Sequence, residues 1–186
     1  LEAKLTTGNS QILLAVKSGK AIRFEEDKTR PMGRNASGVR GITLGGPNDE
    51  VIGMVAVSDS ETEILVVSEN GYGKRSSLED YRTTNRGGKG VKTLSITEKT
   101  GDLVSIKNVS DLDDLMIINK SGIAIRMDVA DLRVMGRATQ GVKLINLKGS
   151  DTIAAVAKVM KDDEEIPEIT EGEELPTTET EDTNNE

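Results

Sequence analysis

The 186-residue chain contains no cysteine and no histidine. Without cysteine it can form no disulfide and offers no thiolate, which suits a reducing cytoplasm. Without histidine it lacks the commonest general base near neutral pH and the commonest zinc ligand. No carboxylate pair replaces them, so no catalytic, cofactor or metal residue is expected and a propeller enzyme is the weakest reading. Aromatics are confined to Phe24, Tyr72 and Tyr81, too few for the stacking platforms of single-strand or RNA binders. No apolar run approaches the roughly 18 residues of a membrane span, and no signal-peptide pattern opens the chain. It begins at Leu1 rather than Met, which raises the expectation of a piece of a longer protein.

The formal charge of −8 hides an uneven distribution. Residues 161–186 hold 12 acidic side chains and one lysine, leaving 23 basic against 20 acidic, or +3, over residues 1–160. That final segment has no apolar period, and Pro167 and Pro176 interrupt it. It is expected to be a disordered acidic tail. Residues 1–160 then form a mildly basic folded body.

An internal repeat organises this body. Gly19, Gly71 and Gly122 are spaced by 52 and 51 residues. Arg34, Arg86 and Arg137 keep those spacings, as do Gly38, Gly90 and Gly141, and Val39, Val91 and Val142. Three units follow, about 10–60, 61–111 and 112–160. Each opens on a short branched apolar run (Ile12–Val16, Ile64–Val67, Leu115–Ile118) that meets a turn pair, Ser18-Gly19, Asn70-Gly71 or Ser121-Gly122. This is the signature of a strand and a tight hairpin. A second strand ends at Arg23, Arg75 or Arg126. A third is expected over Val39–Leu44, Val91–Ile96 and Val142–Leu147. A fourth is expected over Val51–Val57, Leu103–Ile106 and Ile153–Val159. Four strands in about 50 residues make a propeller blade, so the fold class is all-β, with three blades that do not close a ring by themselves.

Aligning the units stacks basic residues in four columns: Arg23, Arg75 and Arg126; Arg30, Arg82 and Arg133; Arg34, Arg86 and Arg137; and Arg40, Lys92 and Lys143. No acidic column is common to all three units. In a repeat array a column becomes a stripe. Repulsion within it calls for a counter-charge, and arginine's planar fork suits phosphate. A polyanion surface is one reading. Arginines that cap a neighbouring blade's carbonyls are another, most apt for Arg34, Arg86 and Arg137, which sit among glycines. An acidic protein partner is a third. The segment Arg86-Gly87-Gly88-Lys89-Gly90 is not a nucleotide P-loop, because the first glycine and the Ser or Thr after lysine are missing.

Three segments carry a resemblance to a known family. Arg30-Pro31-Met32-Gly33-Arg34-Asn35-Ala36-Ser37-Gly38-Val39-Arg40-Gly41-Ile42, Ser68-Glu69-Asn70-Gly71-Tyr72-Gly73-Lys74-Arg75 and Met135-Gly136-Arg137-Ala138-Thr139-Gln140-Gly141-Val142 resemble the C-terminal domain of gyrase A subunits. The resemblance covers about residues 10–160. It implies a β-pinwheel of about six blades that exchange strands, of which the last three are present. It also implies a bacterial cytoplasmic, nucleoid-associated, non-catalytic domain that wraps duplex DNA and supports ATP-dependent negative supercoiling. The partners implied are double-stranded DNA, the B subunit, and the rest of the A subunit, in an A2B2 assembly. ATP and Mg would be used by other regions. The residues implied to bind DNA are the four columns together with Lys74 and Lys89. Thr84-Asn85-Arg86-Gly87-Gly88-Lys89-Gly90 is similar to the family's gyrase-A box but departs from it at Thr84 and Asn85, so the intact box is expected upstream. Tyr72 and Tyr81 are not expected to be nucleophiles. The related C-terminal domain of topoisomerase IV A subunits and a protein-binding propeller are the alternatives. The acidic tail is expected either to compete with DNA for the basic stripe or merely to solubilise.

Overall fold

The computed structural model describes residues 2–57 and 63–160; the expected acidic tail lies outside them. Eleven strands form among these residues: β1 Gln11–Val16, β2 Lys20–Glu25, β3 Val51–Val57, β4 Glu63–Ser68, β5 Tyr72–Ser77, β6 Val91–Lys92, β7 Leu103–Val109, β8 Asp113–Asn119, β9 Ala124–Asp128, β10 Val142–Lys143 and β11 Ile153–Met160. They make three antiparallel sheets, ordered β3-β1-β2-β6, β7-β4-β5-β10 and β11-β8-β9. No helix among these residues is long and apolar enough to cross a membrane.

The sheets confirm the expected β-blades and show strand exchange directly. β6 lies in the second sequence unit but pairs with β2 of the first, placing Lys20 opposite Lys92 and Ala21 opposite Val91. β10 repeats this one blade on, with Val142 opposite Gly73 and Lys143 opposite Tyr72. The expected third strands shrink accordingly to two residues each. Val39–Leu44 is a correction: it forms no strand. Its counterparts are strands only because the preceding blade supplies a partner, and unit one has no preceding blade among the described residues.

Hydrophobic burial follows from the alternation of side chains along each strand. Ile64 and Val66 pack towards the first sheet with Leu13, Ala15 and Tyr81, whereas Leu65 and Val67 pack towards the third with Leu115 and Ile117. The central strand β4 therefore buries both faces, which is why its sequence runs Ile-Leu-Val-Val without a polar break. Each sheet carries a bulge at the same place, between Ala15 and Val16, Val67 and Ser68, and Ile153 and Ala155. β3, β7 and β11 lie beside one another along the array, so the exchanged strands β6 and β10 lie along its opposite edge.

The junctions between blades repeat bond for bond. The Thr93 N–H donates to Gly19 O at 2.8 Å, as Leu144 N–H does to Gly71 O. The Thr84 N–H donates to Arg23 O at 2.9 Å, as Met135 N–H does to Arg75 O. Gly90 sits at φ +69° against this seam, where an added Cβ would stand 2.5 Å from Ala21 O. An alanine there meets both left-handed strain and a carbonyl of the neighbouring blade. Gly90→Ala is expected to lower unfolding stability by about 2 kcal/mol or more, read from the urea midpoint.

Candidate functional site

Arg23 and Arg75 sit within β2 and β5, which run two residues further than expected, to Glu25 and Ser77, and they point into the next blade. The Arg23 guanidinium donates to Leu78 O at 2.8 Å and Tyr81 O at 3.1 Å, and its Nε to Gln11 Oε1 at 2.5 Å. Burial pulls its pKa below the ordinary arginine value, against the opposing pull of Glu25 and Glu79. Arg75 donates from Nε to Leu132 O and from Nη1 to Glu63 at 2.8 Å and Asp111 at 2.5 Å. Tyr81 and Leu132 are equivalent positions, as are Gln11 and Glu63, so one device is built twice. Arg126 should make it a third time, but no following blade is present among the described residues. It pairs only with Asp114 at 2.5 Å, and its side chain is 49% exposed against 8% for Arg75.

Arg86 and Arg137 reach the other way, into the preceding blade. Arg86 donates to Lys28 O at 2.8 Å and Arg40 O at 3.1 Å. Arg137 donates to Asp80 O at 2.8 Å and Lys92 O at 2.7 Å, the equivalent carbonyls one blade on. Arg34 is exposed and has no such partner among the described residues. Two of the four columns are thus inter-blade clamps, one reaching forward and one backward. Arg23, Arg75, Arg86 and Arg137, expected to face phosphate, all donate to carbonyls of a neighbouring blade. The sequence signal was present in the repeat itself, because a clamp recurs with the junction just as a ligand contact would.

Lys74 is a further correction. It is 1% exposed, and its ammonium donates to Gly136 O at 2.6 Å and Thr139 Oγ1 at 3.1 Å in the next blade's loop. The equivalent positions are Ile22 and Ile125. Burial lowers its pKa to about 8; Asp80 opposes the shift and Arg137 adds to it. The unfolded chain keeps this proton to higher pH, so stability is expected to rise as pH climbs from about 8 towards 10. In Lys74→Ile that rise should disappear from a melting-temperature series, with the fold retained because unit one already holds isoleucine there. Tyr81, whose hydroxyl lies 2.5 Å from Thr93 Oγ1, is pushed up to about 12 by burial and offers no nucleophile.

The other two columns face solvent. Arg30, Arg82 and Arg133 are exposed, as are Arg40, Lys92 and Lys143. None of their side chains has a hydrogen bond or ion pair among the described residues. Lys89 is exposed and unpaired in the same way, and with Arg82, Asn85 and Gly88 it lines an open cleft at the first junction. Lys92 and Lys143 are the exchanged strands' own residues, so the topology carries them to equivalent places on successive blades. Some acidic groups take inward or turn positions instead. Glu63 holds Arg75, and Asp49 and Asp151 tie the Ser18 and Ser121 hairpins, with Ser18 Oγ donating to Asp49 Oδ2 at 2.9 Å and Ser121 Oγ to Asp151 Oδ2 at 2.8 Å. Sequence reading missed these two aspartates because they stand one position out of the repeat register, and the middle unit has Gly101 in the corresponding stretch. No cluster of His, Cys, Asp or Glu among the described residues could hold a metal.

Comparison with known proteins matches residues 11–58, 62–110 and 113–160 to the family described as DNA gyrase C-terminal domain, beta-propeller. The DNA gyrase A subunit of Staphylococcus aureus strain NCTC 8325 is 48% identical over 183 residues, 98% of this chain and 20% of that protein. The strain MRSA252 protein is 49% identical over 166 residues, 89% of this chain and 19% of that one. The chain therefore spans about one fifth of these relatives. A solved DNA gyrase A C-terminal domain superposes with a TM-score of 0.76 at 26% identity, over 83% of this chain and 52% of that one. The C-terminal domain of DNA topoisomerase IV shares the fold, with a TM-score of 0.78 at 22% identity, over 84% and 49%.

Proposed function

This chain belongs to the DNA gyrase C-terminal domain family of β-propellers, and from that premise we propose that its exposed basic columns bind duplex DNA and wrap it along the edge of the array. The observation that carries the reading is the division of labour among the cations. Arginines of two columns hold blade to blade, while Arg30, Arg82, Arg133, Arg40, Lys92 and Lys143 recur on each blade with no partner among the described residues. Lys20 faces Lys92 directly across β2 and β6. Like charges opposite one another destabilise a sheet, so the edge is built for a counter-charge supplied from outside. A phosphate backbone supplies it with a regular spacing of negative charge.

Contacts of this kind position the duplex and carry no base readout. Bending DNA around a small disc costs several kcal/mol, and contacts distributed over successive blades are what offset it. The clamps matter here because they keep the cations in register while the duplex pulls outward. In the whole protein, wrapping would serve ATP-dependent negative supercoiling in concert with the B subunit, with the rest of the A subunit, and with ATP, Mg and catalytic groups that would lie outside this chain. The test is duplex affinity against salt. A steep linear fall of log K with log salt supports the reading, and a flat dependence removes it in favour of a protein partner.

A further inference from the structure

We infer that Lys20 and Lys99 also contact the duplex, and that Tyr72 holds Lys99 in place to do so. The inference rests on the duplex-wrapping reading above and adds cations that stand outside the repeating columns. Its ground is the pairing at the two seams. At the first, Lys20 of β2 stands directly opposite Lys92 of β6. At the second, Tyr72 of β5 stands directly opposite Lys143 of β10. Lys20 and Tyr72 follow the equivalent turn glycines Gly19 and Gly71, so the middle unit has an aromatic ring where the first has a cation. Directly opposed residues of an antiparallel pair project from one face of the sheet, about 5 Å apart. Lys143 alone would leave the second seam one charge short of the first.

Lys99 restores that charge from a different element. It lies in the turn between β6 and β7, and its ammonium sits 5.3 Å from the centre of the Tyr72 ring. The ring shares a sheet face with Lys143, so the ammonium is drawn to that face by the negative face of the ring. Each seam then presents two lysines on the edge of the exchanged strands, Lys20 with Lys92 and Lys99 with Lys143. Of the three aromatic side chains Tyr72 alone is not buried; Phe24 and Tyr81 lie in the core.

The turn is rebuilt to suit. In the first unit it runs Gly45-Gly46-Pro47-Asn48-Asp49-Glu50, holds no cation, and is tied to its hairpin by Asp49, which accepts from Ser18. By the 52-residue spacing Lys99 takes the place of Pro47. The tie is reversed in the middle unit: Asn70 Nδ2, on the hairpin, donates to Glu98 O at 3.1 Å and Lys99 O at 3.3 Å. Buried Thr100 closes the turn from within, its Oγ1 accepting from Thr97 N at 2.9 Å. A neutral amide thus replaces a carboxylate, and the Lys99 backbone is held on both sides. Two acidic groups are close by. Glu98 is exposed next to Lys99, and Asp151 lines an open cleft with Tyr72, Lys99 and Lys143. Asp151 is engaged by Ser121 and Thr152, and among the described residues neither carboxylate forms an ion pair with these lysines.

Anisotropy of a labelled duplex with the 186-residue chain over a salt series tests this. Lys99→Ala and Lys20→Ala should each lower affinity about eightfold at about 0.1 M salt and make the slope of log K against log salt shallower by about 0.9. Lys107→Ala removes the same charge from β7, on the opposite edge, and should do neither. Tyr72→Ile, a residue the third unit already carries there as Ile123, should lower affinity about threefold by releasing Lys99. Tyr72→Phe should restore most of that loss, and Tyr72→Ile should cost nothing further in a Lys99→Ala background. If the unmodified chain shows a steep salt dependence and Lys99→Ala loses no more than Lys107→Ala, the inference is overturned and the wrapping reading stands. Losses that multiply in the double variant overturn the positioning role of the ring. A flat dependence in the unmodified chain overturns the wrapping reading and this inference with it.

Discussion

Arg75→Ala should lower the unfolding free energy by about 3–5 kcal/mol, the range for breaking a buried, hydrogen-bonded ion pair on one side. The arginine is nearly enclosed and bonds Glu63, Asp111 and the Leu132 carbonyl at once. Its removal leaves Glu63 half-enclosed beside a carbonyl that has lost its donor, and unsatisfied groups of this kind carry their full desolvation penalty. Arg126→Ala is the internal control. It sits in the same column with half its side chain in solvent and, among the described residues, caps no neighbouring carbonyl. Because its loss leaves the enclosed Asp114 without its one charged partner there, it should cost about 1–3 kcal/mol, less than Arg75→Ala. Urea unfolding of the two variants measures the difference. Equal effects would mean that the forward clamp is not what holds successive blades together.

Replacing Arg40, Lys92 and Lys143 together by alanine should act on the other half of the machinery. Stability should scarcely move, because these side chains have no partner among the described residues to lose. Duplex affinity should fall, and the slope of log K against log salt should become shallower by about 3, at close to one counterion per lost phosphate contact. Fluorescence anisotropy with a labelled duplex at several salt concentrations reads both quantities. A slope equal to that of the unmodified chain would remove this column from the interface. The same measurement on Lys74→Ile at pH 7 should show no change, since that ammonium is spent on Gly136 and Thr139.

Much of this molecule is legible in the sequence alone. The 51- and 52-residue spacing marks three units, and branched runs ending in polar-Gly pairs mark the hairpins of β1–β2, β4–β5 and β8–β9. Charge columns show which positions recur, but a column says only that a position matters in every blade. Arg82 and Arg86 are four residues apart in similar surroundings, and one faces solvent while the other grips a neighbour's carbonyls. The difference lies in which side of the loop faces the preceding blade, a tertiary fact with no local signature. Lys74 misleads for the same reason. It adjoins a conspicuous arginine, yet its equivalents are isoleucines, and that substitution pattern across the repeat was the available warning that the position is internal. Strand pairing across repeats is likewise out of reach of local pattern, which is why Val39–Leu44 reads as a strand and is not one.

The exchange of strands has a consequence for how this chain can be cut or opened. The first sheet draws on residues from 11 to 92, the second from 63 to 143 and the third from 113 to 160. These intervals overlap like roof tiles, so every peptide bond between β1 and β11 lies within the span of at least one sheet. A protease nick, a circular permutation or a spliced-in tag anywhere in that stretch loosens the tether of a strand to its own sheet. Local opening of one blade also frees a strand or a seam in the next, which ties the breathing of each blade to its neighbour's.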